Sequence, residues 1–154
     1  MQSITCDKYR PTNCIMKHLP ISIEDEPAFK YRGLMIDSSR HYLPVHLIYE
    51  TIDALMYNKM NVLHWHIVDE DSFPLVLKSH PELAEYGAFS DEEVYTPEDV
   101  KEIVKYAMIR GVRVIPELDT PGHAGSWSKS PKNKRVACLN YESGYRGALD
   151  VTLA

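Results

Sequence analysis

The sequence predicts an α/β fold with a parallel sheet, on three observations. Short apolar runs alternate with segments of helical periodicity, in the order strand, helix, strand, long connection, helix, strand. The second run, Val62 to Val68, is rich in β-branched, aromatic and aliphatic residues, as a buried strand should be. Each of the three runs ends at an aspartate: Asp37, Asp69 and Asp119. Strands joined through helices make right-handed crossovers, so their ends gather on one rim. Three strands cannot close a barrel, and an eight-stranded barrel needs roughly 250 residues, so the pattern is either a small open sheet or the front part of a larger barrel.

Residues 1–28 lack periodicity and are broken by Pro11, Pro20 and Pro27, which predicts a linker or the remnant of a preceding module. Leu34-Met35-Ile36-Asp37 is the first strand. Pro44 suits the opening of a helix, and Ile48, Ile52, Leu55 and Met56 form one stripe of it, from Val45 to about Lys59. Asn61 to Val68 is the second strand. Ser72 to Tyr95 is a long connection with room for a short helix, and connections of that length are often functional. Thr96-Pro97-Glu98-Asp99 is a helix start with a Thr cap and Pro at the first turn. Val100, Ile103, Val104, Ala107 and Met108 form its apolar face, and Gly111 stops it. Val112 to Leu118 is the third strand. After Trp127 no further strong element is legible.

Composition narrows the function. A net charge of −5 disfavours a nucleic-acid or anionic-membrane surface. No apolar stretch is long enough to span a bilayer. The first twenty residues lack the apolar run of a secretory leader, so the sequence reads as cytosolic or as lacking its true start. Cys6, Cys14 and Cys138 are an odd number, so at least one stays free or pairs outside the chain.

Three aspartates on one rim would repel one another and raise one another's pKa, so a cation or donor must sit among them. Arg32, Arg40, His41 and His123 are the candidates. His64 and His66 share one strand face, which suits either buried hydrogen-bonded histidines or a metal pair completed by Asp69, Asp119 or His123. His123 follows Pro121-Gly122, where the glycine permits a sharp bend and the imidazole can reach a substrate or a carboxylate. Trp127 can stack on a sugar ring or cover the core edge.

Tyr31-Arg32-Gly33-Leu34-Met35-Ile36-Asp37-Ser38-Ser39-Arg40-His41-Tyr42-Leu43-Pro44 resembles the first-strand signature of the β-N-acetylhexosaminidases, glycoside hydrolase family 20. Asn61-Val62-Leu63-His64-Trp65-His66-Ile67-Val68-Asp69 resembles that family's second strand, and Ser72-Phe73-Pro74 the loop after it. Pro116-Glu117-Leu118-Asp119-Thr120-Pro121-Gly122-His123, followed by Ser126-Trp127, resembles the end of its third strand. The similarity runs from about Leu19 to Trp127 with the motifs in order.

The resemblance implies a partial (β/α)8 TIM barrel, with residues 29–154 an incomplete catalytic barrel. It implies removal of terminal β-linked N-acetylglucosamine or N-acetylgalactosamine by the retaining, substrate-assisted route, with no cofactor and no metal. In that route the sugar's 2-acetamido oxygen attacks the anomeric carbon, an aspartate steadies it, and the adjacent glutamate protonates the leaving oxygen. Arg32, Asp69 and His123 are then expected to bind substrate, with Asp69 and His123 supporting catalysis. Asp37, His64, His66, Asp119 and Trp127 are structural near the site, and Asp119 braces the loop carrying His123. The resemblance also implies a lysosomal or extracellular setting and admits a dimer for full-length members. It implies too that Cys138 lies near a family cysteine that pairs beyond Ala154.

The family's Gly-Gly-Asp-Glu-like stretch has no counterpart here. The Asp-Glu pairs are Asp25-Glu26, Asp69-Glu70 and Asp91-Glu92, none in that context. The chain alone is therefore expected to be inactive, as a truncated hexosaminidase. Two other readings are a sugar-binding or partner-binding remnant without chemistry, and a metal-dependent barrel hydrolase using His64 and His66.

Overall fold

The computed structural model describes residues 4–7, 10–16, 20–138, 147–150 and 152. Lys8, Lys17, His18 and the side chains of Cys6 and Cys14 lie outside the described residues. The chain divides into two compact units, Met1–Lys30 and Tyr31–Ala154.

The first unit holds an antiparallel hairpin of β1 (Ile4–Asp7) and β2 (Arg10–Met16), with Cys6 opposite Cys14 in the backbone register. The sequence predicts a linker or the remnant of a preceding module here, and it gives no sign of the hairpin. Pro11 is the reason it escapes notice, since proline usually argues against a strand. In a two-stranded sheet every strand is an edge, and an edge tolerates proline.

The second unit runs β3 (Gly33–Asp37), α1 (Val45–Tyr57), β4 (Val62–Val68), α2 (Glu82–Gly87), α3 (Pro97–Met108) and β5 (Arg113–Leu118). Short 3-10 turns follow at Gly125–Ser128 and Pro131–Asn133, and an isolated bridge joins Ala137 to Leu149. The sheet is parallel throughout, in the order β3-β4-β5. This is the α/β arrangement the alternation predicts.

β4 is central, paired on both sides and with six of its seven residues buried, and one of its faces is wholly apolar. Leu63, Trp65 and Ile67 form the core with Ile48, Ile52 and Leu55 of α1 and Ile103 and Ala107 of α3. Each such burial contributes about 2 kcal/mol. The Trp65 indole N–H donates to Ser38 Oγ at 2.9 Å, and its ring meets Tyr95 edge-on with centroids 4.9 Å apart. The long connection leaves and returns beside itself: Leu75 and Tyr95 form a parallel bridge. The Tyr95 hydroxyl donates to the Leu43 carbonyl at 2.6 Å and accepts from the Leu43 N–H at 3.2 Å. Burial pushes its pKa up to about 12, so it stays a donor.

The opposite face of β4 carries His64 and His66. Parallel register sets Met35, His64 and Ile115 side by side, then Asp37, His66 and Glu117. Partners in register share a face, so the second row brings three ionisable side chains to one place. Met35 in the first row is 53% exposed.

α3 begins with the predicted cap: Thr96 accepts from the Asp99 N–H, and Asp99 accepts from the Thr96 N–H. Its apolar face is only half used. Ile103 and Ala107 are buried, whereas Val104 and Met108 are exposed, Met108 by 67%. The two exposed residues border an open groove with Gly111, Val112, Arg113 and Val114, beside the outer edge of β5. No helix among the described residues is long and apolar enough to cross a membrane.

Candidate active site

The site forms where the three strands end. Asp37 is the last residue of β3, Asp69 follows β4 and Asp119 follows β5. Asp37 caps the turn after its strand, accepting from the N–H groups of Ser39 and Arg40 at 3.0 and 3.1 Å. That turn aims Arg40 across the rim. Its guanidinium pairs with Asp37, with Asp69 Oδ2 at 2.7 Å, and with Asp71 at 3.7 Å. Arg40 is the cation the three-aspartate rim requires.

Asp69 is the hub, with its side chain 1% exposed. Its Oδ2 pairs with the Arg40 guanidinium and accepts from His66 Nε2, both at 2.7 Å. Its Oδ1 takes the Glu70 N–H and faces His123 Nδ1 at 3.2 Å. Its backbone carbonyl accepts from the Ser126 hydroxyl, which pins the turn after β5 to the end of β4. Burial by itself would raise the Asp69 pKa. The Glu70 N–H, His66, the Arg40 charge and His123 outweigh burial and lower it, so Asp69 is ionised.

The loop after β3 is locked to the loop after β4 by paired serines. Ser39 Oγ donates to the Ser72 carbonyl at 2.9 Å, and Ser72 Oγ donates to the Ser39 carbonyl at 2.6 Å. This explains why polar residues are fully buried there.

His123 reaches the hub through its own backbone. Its φ is 57°, whereas the glycines with positive φ among the described residues are Gly111 and Gly147. The sharp bend expected of Gly122 thus falls on the histidine itself. A left-handed non-glycine residue stores strain, of order 1 kcal/mol, and such strain collects at functional sites.

One expectation needs correction, and the contacts of three further residues bear on readings the sequence left open. Arg32 does not join the site. It precedes β3, its N–H donates to Asn61 Oδ1 at 2.9 Å, and its Nε donates to the Lys59 carbonyl at 2.6 Å. Those partners lie before β4, on the opposite rim from Asp69. Of the two readings left open for His64 and His66, the hydrogen-bonded one accords with their contacts, since both turn to the same Glu117 carboxylate oxygen. Trp127 faces the core edge, packing edge-on against Phe73 at 5.4 Å between centroids.

Two sets of ligand-type atoms lie within 4.8 Å of one another, His66, Glu117 and Asp119, and Asp69, Asp119 and His123. Both nitrogens of His66 and both oxygens of Asp69 also face partners in the hydrogen-bond and ion-pair network.

Glu117 is the residue the motifs did not single out. Burial raises its pKa, but bonds from His66 and His64 outweigh that and lower it. Its signal was available in strand alternation, since Glu117 lies two residues before Asp119 on a strand next to the His-x-His strand.

The profile of the glycosyl hydrolase family 20 catalytic domain matches residues 29–150. The chain belongs to glycosyl hydrolase family 20. It is 53% identical over 122 residues to β-hexosaminidase subunit beta of Mus musculus, an alignment spanning 79% of this chain and 23% of that protein. It is 56% identical over 110 residues to β-hexosaminidase 3 of Arabidopsis thaliana, spanning 71% of this chain and 20% of that one. Among solved structures it resembles the family 20 exo-β-N-acetylglucosaminidase of Vibrio harveyi in complex with N-acetylglucosamine, with a TM-score of 0.73 at 27% identity. That likeness covers 96% of this chain and 26% of the other. The chain thus spans about a quarter of the length of the family 20 relatives it matches.

Proposed function

We propose that this chain supplies the Asp69-centred part of a β-N-acetylhexosaminidase site, on a sheet corresponding to the first three strands of a (β/α)8 barrel. One observation carries the reading: a fully buried, ionised aspartate at a strand end, bonded at once to Arg40, His66 and His123. A buried charge so fully held is costly to assemble and is typical of catalytic rims. The substrate is a terminal β-linked N-acetylglucosamine or N-acetylgalactosamine. Arg40, 39% exposed beside Asp37 and Asp69, is the residue that grips sugar hydroxyls, a task suited to its planar fork of donors. Asp69 and His123 hold the proton donor or substrate in place. The setting is lysosomal or extracellular.

The proton donor of the family's Gly-Asp-Glu stretch is not in this sequence. General acid catalysis needs a group within hydrogen-bond reach of the leaving oxygen. The 154-residue chain is therefore expected to give no turnover of a fluorogenic β-N-acetylglucosaminide. Grafted over the corresponding segment of the mouse subunit, residues 29–150 should retain hydrolysis. Turnover by the chain alone, or a folded but inactive graft, overturns the reading. The second reading, sugar binding without chemistry, is favoured by the half-open Arg40. Calorimetry of the chain with N-acetylglucosamine separates the two readings.

A further inference from the structure

We propose that Glu117 is a positioning residue that clamps His66 as a doubly protonated imidazolium between itself and Asp69. The proposal deepens the family reading of the site, but it is argued and tested on the chain's own protons.

Both ring nitrogens of His66 face carboxylates. Nε2 lies 2.7 Å from Asp69 Oδ2, and Nδ1 lies 3.2 Å from Glu117 Oε2. An ionised carboxylate only accepts hydrogen bonds. A neutral imidazole has one donor and one acceptor nitrogen, so it would set a lone pair against one of the two oxygens. Only the cation satisfies both ends. Asp69 cannot supply the proton instead, because its other partners, Arg40, the Glu70 N–H and His123, all suit the ionised form. The same Glu117 oxygen also meets His64 Nε2, where an ionised carboxylate accepts.

The charges around His66 point the same way on every side. Glu117 and Asp119 approach from β5 and the turn beyond it, and Asp69 from the end of β4. Asp37 stands beside it in register on β3. Arg40 sits on Asp37 and Asp69, and the His123 and His64 rings face Asp69 and Glu117. With His66 neutral, Arg40 would be left as the one permanent cation among these groups, facing several carboxylates. Burial lowers the His66 pKa, but the bonds to Asp69 and Glu117, with the Glu117 and Asp37 charges, outweigh it and raise the pKa.

A raised histidine pKa stabilises the fold fully below the unfolded value, and that stability is lost as pH rises through the folded value. Glu117 thereby keeps Asp69 oriented: with the clamp charged, the His66 ring cannot turn without breaking two charge-assisted bonds.

Nitrogen-15 spectra of the histidine ring of His66 in the full chain test this, with assignment from His66→Gln. Both nitrogens should carry protons at pH 7, and the midpoint should lie above the ordinary histidine value of about 6.5. Glu117→Gln should lower the His66 midpoint by about one pH unit, a tenfold loss of proton affinity, and leave His80 unmoved. Glu117→Asp should restore part of the shift. A single pyridine-like nitrogen on wild-type His66 at pH 7, or an unmoved midpoint in Glu117→Gln, overturns the proposal. Should Glu117→Gln fail to fold, the wild-type spectrum still decides it. The readout involves no sugar, so its failure leaves the hexosaminidase reading standing, and absence of sugar binding leaves the clamp standing.

Discussion

Arg32 and Arg40 are the same residue type in the same motif, and they do different work. β3 has five residues, about 16 Å of chain, and Arg32 lies at its start while Arg40 lies past its end. A guanidinium cannot span that distance. Arg40→Ala should therefore abolish any N-acetylglucosamine binding, whereas Arg32→Ala should leave it intact, both read by calorimetry. Arg40→Ala also strips the charge partner from buried Asp69, which should destabilise the chain by about 2 kcal/mol in urea unfolding. Binding that survives Arg40→Ala and vanishes with Arg32→Ala would return the role to Arg32.

At the scale of elements, α3 shows how local code and packing divide the labour. Thr96, Pro97 and Asp99 start the helix without tertiary help. Thr96→Ala should cost about 1 kcal/mol by thermal or urea unfolding. A loss below about 0.3 kcal/mol would mean the cap is dispensable here. The helix face itself is split, with Ile103 and Ala107 under cover and Val104 and Met108 outside it. Periodicity predicts an apolar face, but the neighbours available decide how much of it is buried.

For the second unit as a whole, the sheet has no further strand beside β3 or β5 among the described residues. β3 leaves Leu34 and Met35 exposed at one edge, and β5 with α3 leaves Ile115, Leu118, Val104 and Met108 exposed at the other. Unpaired parallel edges beside apolar side chains invite further strands. The isolated chain should self-associate as its concentration rises, seen as an earlier-eluting, concentration-dependent species in size-exclusion chromatography with light scattering. Met108→Lys with Leu34→Lys should shift that species toward the monomer. A wild-type chain that stays monomeric at high concentration would show these edges to be adequately protected as they stand.

Much of this was legible before any coordinates. Alternating apolar periods set the strand and helix order, the Thr-Pro-x-Asp start set α3, and the Asp after each strand set the rim, because these are local properties of the chain. The His-x-His spacing likewise placed two imidazoles on one face. What the residues alone left open was decided by register and reach. Parallel pairing put Glu117 beside His66, strand length separated Arg32 from Arg40, and a turn placed its positive φ on His123 rather than on Gly122. Those are contacts between segments tens of residues apart, and no local pattern encodes which side chain ends up as the neighbour of another.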